Sequence, residues 1–396
     1  MTQTIKKTPP SPMLPIYDHD ETAEQLFVVD LKKYIGADIE PLCRTLANHV
    51  DETLPPKSAR PQSGERERYI DVRDAIADDP LYRTWVNTNK CAQDMMWQSI
   101  AGPADAQMEE IEQRADIAEP QGSLTLDPDF VGPNYIAAQD IHRMPGGYMG
   151  DFENAGVRQG ILYDGGGYIY NLGGRNGGFL NDARGHTLMS HVMMRRPDFA
   201  PAKILEMGCS AGNSSAAMAS YYDDAEYHAI DVSASMLRYA HARAEKLGVA
   251  IHFAQDNAEH TAFDDASFDL VVSCVMIHET SHAAIRNIIA ECHRVLKPGG
   301  MMVHLEVPAR YEDLDVWARI RGDYEMAYNH EPFWRGALNT DFIALSEKAG
   351  FEDLQIGFQD TSRNAEPGTG VMREASRGVH RSWLVFSGIK PSSNAQ

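Results

Sequence analysis

The half of the chain that follows Pro201 constrains the fold most, because short apolar segments alternate there with longer segments of helical pattern. The apolar segments predict strands at 203–207, 227–230, 251–254, 268–273 and 301–305, and the segments between them predict helices at 211–222, 235–247 and 283–296. The tail adds a predicted helix at 341–349 and predicted strands at 352–358 and 381–387. Strands that alternate with helices pair in parallel, so we predict an α/β fold with a doubly wound, mostly parallel sheet.

The first 200 residues have a different pattern. A proline-containing leader is expected to be flexible over residues 1–20, and a mainly helical N-terminal segment follows over 21–120. Residues 121–200 form a glycine-rich region that we expect to connect the two halves or to act as a lid. We expect the helical segment and the glycine-rich region together to cap the active site and to contribute to dimerisation; the alternative is an independent domain with a separate function. Its glycine clusters, at 165–167, 173–174 and 177–178, predict turns, short strands or a mobile loop with hinge points. The catalytic core is expected at 201–390.

The turn after the first strand of the core carries the strongest local motif. It reads Leu-Glu-Met-Gly-Cys-Ser-Ala-Gly over 205–212. Gly208 allows the backbone to approach a ligand closely, and the helix that follows presents free N–H groups to an anionic group. NAD-binding folds have a similar turn, so this motif alone does not identify the cofactor.

The order of polar residues further along the core distinguishes the two cofactors. Asp231 follows the second strand, Asp256 and Asn257 follow the third, and a Lys-Pro-Gly-Gly segment lies at 297–300. Together with the first turn, this series resembles the class I (Rossmann-like) methyltransferases that depend on S-adenosylmethionine (SAM), most closely those of the methyltransferase 11/12 type that act on small molecules. The last two segments argue against the alternative, an NAD-dependent dehydrogenase with a similar fold.

The resemblance implies SAM as cofactor and assigns its contacts residue by residue. Around the methionine and ribose portion it places Glu206, Gly208, Ser210 and Gly212. It places Asp231 on the ribose hydroxyls, Asp256 and Asn257 at the adenine edge, Val232 and Met236 against the adenine ring, and Ser273 and Cys274 beside the sulfonium. Ser210 departs from the family, which more often has glycine there, but serine is small enough for the turn.

The residues that act on the acceptor are less well defined. His278 and Glu279 follow the fourth strand and are candidate catalytic residues, with the histidine as a proton acceptor; alternatively, they cap the next helix. An aromatic cluster after the fifth strand includes candidate acceptor-binding residues, namely Tyr324, Tyr328, His330 and Trp334. Ordinary core packing is the alternative for that cluster. The histidines have no metal-ligand spacing, so we predict no metal site.

Charge and cysteine content exclude several classes of partner. The formal net charge of −21 disfavours nucleic acid and anionic membrane surfaces. Five cysteines without a C-x-x-C pair indicate a reducing compartment, and no signal peptide or membrane span is visible, so we expect a cytoplasmic location. We therefore predict a SAM-dependent methyltransferase that acts on a small molecule such as a natural-product intermediate. A homodimer is a further expectation. The alternative is a non-catalytic SAM-binding regulatory or partner subunit.

Overall fold

The computed structural model describes residues 11–55, 66–150, 156–173 and 182–392. Before residue 200 the described chain is mainly helical, with one short strand. Its elements are α1 (His19–Tyr34), α2 (Glu40–Thr53), α3 (Arg68–Ile76), α4 (Pro80–Ala106), α5 (Met108–Ala115), β1 (Ser123–Thr125), α6 (Asn134–Ala137), α7 (Arg158–Tyr170) and α8 (Ala183–Arg195). Helical turns of other types lie at Ile35–Ile39 and Ile141–Arg143.

The first helix begins at a capping box, in which Asp18 accepts from the backbone N–H of Glu21 and the Glu21 side chain accepts from that of Asp18. Met13 and Leu14, within the segment expected to be a flexible leader, are buried beneath this helical half. Arg114 of α5 donates to the backbone carbonyls of Pro12 and Leu14. The packed part of the chain therefore starts before α1.

The expectation of turns or a hinge at Gly165–Gly167 is wrong, because these glycines lie inside α7. Their lack of a side chain brings α7 against its neighbours. A Cβ atom at Gly166 would lie 2.9 Å from the ring of Trp97 in α4, and one at Gly165 would lie 2.9 Å from Ile100. The glycines thus permit close helix packing rather than a turn. Residues 174–181, which include the glycines at 174, 177 and 178, lie outside the described residues.

After residue 200, strands and helices alternate as the sequence predicts. The elements are β2 (Lys203–Met207), α9 (Asn213–Ala219), β3 (Glu226–Asp231), α10 (Ala234–Lys246), β4 (His252–Gln255), β5 (Phe268–Cys274), α11 (His282–Val295), β6 (Leu296–Glu306), α12 (Val316–Tyr328), α13 (Trp334–Leu338), α14 (Phe342–Ala349), β7 (Glu352–Asp360), β8 (Met372–Arg373) and β9 (Ser382–Ile389).

These strands form one sheet in the order β1-β4-β3-β2-β5-β6-β9-β7-β8. The pairs from β1 to β6 are parallel, whereas β9 runs antiparallel to both β6 and β7. Strand order reverses at β2, which places a crevice between the carboxyl ends of β2 and β5. The predicted α/β fold, with a Rossmann-like, mostly parallel sheet and a helical N-terminal segment, is confirmed.

The N-terminal half packs against the core at two places. Strand β1 extends the sheet by pairing in parallel with β4, and Ser123 lies opposite His252. The helices α2 to α4 pack on α12, the insertion after β6, where the rings of Trp85 and Trp317 have centroids 4.9 Å apart. The first half therefore lies over the end of the sheet where the candidate site is found. No helix in the described parts of the chain has the length and apolar character needed to cross a membrane.

Candidate active site

A cavity lies at the carboxyl ends of β2, β3 and β5. Part of its wall comes from residues that the sequence assigned to the cofactor or to catalysis. These residues are Gly208, Ser210, Asp231, Val232, Met236, Asp256, Asn257 and Glu279. The sheet brings them together because they follow neighbouring parallel strands, whose ends meet at one edge.

The turn after β2 needs residues with little or no side chain. Gly208 has a φ of 70°, and a Cβ atom there would lie 2.4 Å from Cγ of Met276. Gly212 has a φ of 72°, and its Cβ atom would lie 2.9 Å from that of Ala240. Ser210 also adopts the left-handed region, with a φ of 48°. This conformation gives a physical reason why glycine would be favoured at that position.

Asp231 is fixed at the end of β3 by backbone donors. Its two carboxylate oxygens accept from the N–H groups of Ser210 and Ser233, each at 2.9 Å. Burial raises the pKa of Asp231 above its ordinary value, although these hydrogen bonds offset part of the rise. A carboxylate has about four lone-pair sites, so both oxygens can still accept from a pair of ligand hydroxyls.

Asp256 shapes the turn after β4 rather than pointing freely into the cavity. Its two oxygens accept from the backbone N–H groups of Asn257 and Ala262, each at 2.8 Å, while its own N–H donates to the carbonyl of Asp231. Asn257 in turn accepts from the backbone N–H of Glu259. The turn therefore presents a fixed backbone edge to the cavity beside Asp231.

The remaining residues assigned to the cofactor lie behind the cavity wall. Glu206 is buried in β2, where it accepts from the hydroxyl of Tyr227 at 3.1 Å, and burial raises its pKa to about 7. Ser273 shares a hydrogen bond of 2.6 Å with the imidazole of His304. Cys274 is buried with the core. These contacts support the wall from behind, and the assignment of these residues to SAM stays a prediction.

The opposite wall comes partly from the N-terminal half, where the sequence predicted a lid but no individual site residue. Tyr135, Tyr148 and Tyr163 line the cavity, together with Pro133 and Ile136. Tyr135 donates to Glu259 at 2.9 Å, and Tyr148 donates to Glu279 at 2.9 Å. No motif in residues 121–200 distinguishes these tyrosines from others in that region, so only the packing of the two halves reveals them.

His278 and Glu279 differ in their environments. Glu279 lines the cavity, whereas His278 is buried behind it, with Nδ1 2.7 Å from Oε2 of Glu306 and its ring 5.6 Å from that of Trp334. Burial lowers the pKa of His278, but the nearby carboxylates outweigh burial and raise it to about 9. The imidazole is therefore mainly protonated at neutral pH. The predicted role of His278 in catalysis stays a prediction.

His142 joins His278 and Glu279 to the N-terminal half of the chain, called the cap below. Its Nε2 lies 3.0 Å from Oε1 of Glu279, and its Nδ1 lies 2.9 Å from Oε1 of Glu331 in the segment between α12 and α13. The residue has a φ of 55°, an uncommon conformation for a residue with a side chain. Burial lowers the pKa of His142, yet Tyr170 and the two glutamates raise it well above its ordinary value. His142 thus forms a buried, charged bridge between three segments of the chain.

The four aromatic and histidine residues assigned to the acceptor do not line the cavity in the described structure. Tyr324 packs against Trp85, with ring centroids 4.9 Å apart, and Tyr328 is 44% exposed. His330 contacts the backbone carbonyl of Asp140 at 3.2 Å, and Trp334 packs against His278. Their observed contacts join α12 and α13 to the N-terminal half, and acceptor binding by these residues stays a prediction.

The histidines near α8 have partners other than a metal. His186 shares a hydrogen bond of 2.7 Å with the hydroxyl of Tyr221. His191 contacts Gln359 at 3.2 Å and Ser387 at 2.8 Å. Within the ranges that the structure describes, no three His, Cys, Asp or Glu side chains are grouped so that they could hold a metal ion.

Comparison with known families assigns the core. Residues 204–300 match the family described as methyltransferase domain. Residues 204–300 of this chain are thus a methyltransferase domain. The predicted dependence on SAM as cofactor is thereby confirmed. The matched segment runs from β2 into β6 and contains the turn at Gly208, Asp231 and the Asp256 turn.

Curated relatives match a part of the chain. The ubiquinone/menaquinone biosynthesis C-methyltransferase UbiE of Brucella anthropi is 34% identical over 140 residues, which cover 31% of this chain and 52% of that protein. An uncharacterized methyltransferase of Synechocystis is 32% identical over 152 residues, covering 38% of this chain and 66% of the relative. The chain thus spans about half the length of the first relative.

Solved structures include phosphoethanolamine N-methyltransferase 2 of Haemonchus contortus in complex with phosphomonomethylethanolamine and S-adenosylhomocysteine. It is 17% identical with a TM-score of 0.41, and the likeness covers 57% of each chain.

Proposed function

We propose that this chain transfers a methyl group from SAM to a small-molecule acceptor that binds in the cavity beside Glu279. The observation that carries the proposal is the composition of the cavity wall. One side holds the predicted cofactor residues of the methyltransferase domain, and the other holds tyrosines from outside the matched segment together with the carboxylate of Glu279, which lies within it. Such a concave site, with apolar surface and a few fixed polar groups, is typical of small-molecule binding.

The residues on the cofactor side are suited to SAM. The absence of a side chain at Gly208 leaves the space that a Cβ atom would fill next to Met276, and Asp231 is held rigidly with lone pairs still available for the ribose hydroxyls. Asp256 and Asn257 would adjoin the adenine, and Val232 and Met236 line the same part of the cavity. When bound, the cofactor supplies an activated methyl group on a sulfonium.

The chain's own contribution is then to hold the acceptor in line and to exclude water. Correct alignment of two reactants supplies a large part of the rate enhancement in such bimolecular reactions. Tyr148 and Tyr163 cover the cavity from the cap, with their rings 6.1 Å apart, and Glu279 provides a hydrogen-bond acceptor in its wall. His278, held by Glu306 at 2.7 Å, lies behind this wall beside Glu279.

The proposed activity is tested with SAM that carries a deuterated methyl group. The purified protein is incubated with this cofactor and a small-molecule extract of the source cells, and products that gain the labelled methyl group are found by mass spectrometry. We expect at least one labelled product that Gly208→Arg abolishes, since the arginine side chain fills the cofactor space. Tight SAM binding without any labelled product would refute turnover and favour the non-catalytic SAM-binding subunit.

A further inference from the structure

Glu279 has an oxygen for which the protein supplies no partner. Its Oε1 atom contacts Nε2 of His142 at 3.0 Å and the hydroxyl of Tyr148 at 2.9 Å, with Nε2 of His278 at 3.5 Å. Its Oε2 atom is buried and has no hydrogen-bond partner among the described residues, although the side chain lines the cavity. A buried carboxylate oxygen without a donor is costly, so a ligand that brings a donor to Glu279 would be stabilised there.

The charges around Glu279 favour a positively charged donor over a neutral one. Glu279 lies beside the imidazoles of His142 and His278, and each imidazole also pairs with a second carboxylate, that of Glu331 or of Glu306. Burial by itself would raise the pKa of Glu279, but the two imidazoles lower it to about 2, so the carboxylate stays ionised. The three carboxylates outnumber the two imidazoles, and the nearby Arg321 forms its ion pairs with Glu40 and Glu325 instead.

The aromatic wall of the cavity also favours a positively charged ligand group. Tyr148 and Tyr163 line the cavity with Glu279, and the rings of these two tyrosines are T-shaped at 6.1 Å. The faces of aromatic rings attract cations, and ammonium groups are commonly bound between aromatic rings and a carboxylate. Neither tyrosine face offers a comparable attraction to an anion.

We propose that the acceptor carries an ammonium group, which Glu279 binds through Oε2 with Tyr148 and Tyr163 beside it. This inference rests on the proposed function and names the substrate class of that same site. His142 is a positioning residue, because it fixes Oε1 of Glu279 and leaves Oε2 for the acceptor. Glu331 provides a matched comparison, since it holds the other nitrogen of His142 and also has an unpartnered oxygen, but it does not line the cavity.

The first experiment needs no variant. Products that gain the deuterated methyl group in the extract assay are separated on a cation exchanger at pH 7. We expect the labelled product to contain a basic nitrogen and, where it has no acidic group, to be retained as a cation, because the ammonium group that Glu279 binds stays on the product. A labelled product whose mass spectrum shows no basic nitrogen overturns the inference while leaving the proposed function intact, whereas no product with intact SAM binding refutes the proposed function itself.

The second experiment compares Glu279→Gln with Glu331→Gln, using the acceptor found in the first. We expect Glu279→Gln to raise KM for the acceptor at least tenfold and to leave the dissociation constants of SAM and S-adenosylhomocysteine within twofold of wild type. Glu331→Gln should change that KM less than threefold. Equal increases in both variants would show an effect through His142 alone, and selective loss of SAM affinity in Glu279→Gln would show that Glu279 pairs with the sulfonium. Either result overturns the inference.

Discussion

Replacing His142 by alanine tests whether the buried bridge holds the cap on the core. In the wild type, the two ring nitrogens of His142 lie 3.0 Å and 2.9 Å from the carboxylates of Glu279 and Glu331. The alanine variant leaves both carboxylates buried without this cation, and loss of one partner from a buried ion pair costs about 3–5 kcal/mol. Tyr148 and Asn329 still donate to the two glutamates, so we expect about 3 kcal/mol.

The assay is urea unfolding at pH 6, where the imidazole of His142 is protonated because its pKa is raised well above its ordinary value. His142→Asn is the backbone control, because asparagine tolerates the left-handed conformation and keeps one donor group. It should be more stable than the alanine variant by about 1 kcal/mol, the usual contribution of one hydrogen bond. Arg83→Ala removes an exposed ion pair with Asp78 and should cost less than about 1 kcal/mol. A loss in His142→Ala no larger than that of Arg83→Ala would refute the bridge.

Three further predictions concern pH, cofactor affinity and the role of the first half. The folded-state pKa of His278 is raised to about 9. The stability lost in His278→Gln should therefore be largest below about pH 6.5 and should shrink as the pH rises through 9, and unfolding at several pH values measures this. Asp231→Ala removes the carboxylate that is expected to accept from the ribose, and calorimetry should show SAM binding weakened by about 1.5–3 kcal/mol; an unchanged affinity would contradict that assignment. A truncated chain that starts at residue 185 should be poorly soluble or monomeric. It should also lose acceptor turnover, because it lacks Tyr148 and Tyr163. A soluble core with full activity and an unchanged oligomeric state would rule out the cap and its proposed part in dimerisation.

The core was predictable from sequence because its signals are local. A strand that ends in Glu-Met is followed by a Gly-Cys-Ser turn that needs glycine at its first position, and Gly208 has a φ of 70° there. Asp231 follows its strand directly, so the parallel sheet necessarily brings it beside this turn. The spacing of such residues along the chain therefore translates into proximity at one edge of the sheet.

A cap was expected from the sequence, but the residues that form its contacts were not predictable in the same way. These contacts depend on packing between distant segments. The glycines at 165–167 suggested turns, but close contact with Trp97 and Ile100 explains them within a helix. The link from His142 to Glu279 spans 137 positions and has no sequence motif. Similarly, an aromatic cluster in α12 has the composition of a binding site, yet Trp85 of the N-terminal half packs against Tyr324.

Isothermal calorimetry with SAM and with NAD tests the central assignment most directly. We expect micromolar binding of SAM and S-adenosylhomocysteine and no measurable binding of NAD, because the turn at Gly208, Asp231 and the Asp256 turn form one cavity wall in the order typical of methyltransferases. Gly208→Arg, which fills that wall, should abolish SAM binding and provides the control for site specificity. Tight binding of NAD by a protein that does not bind SAM would contradict the account.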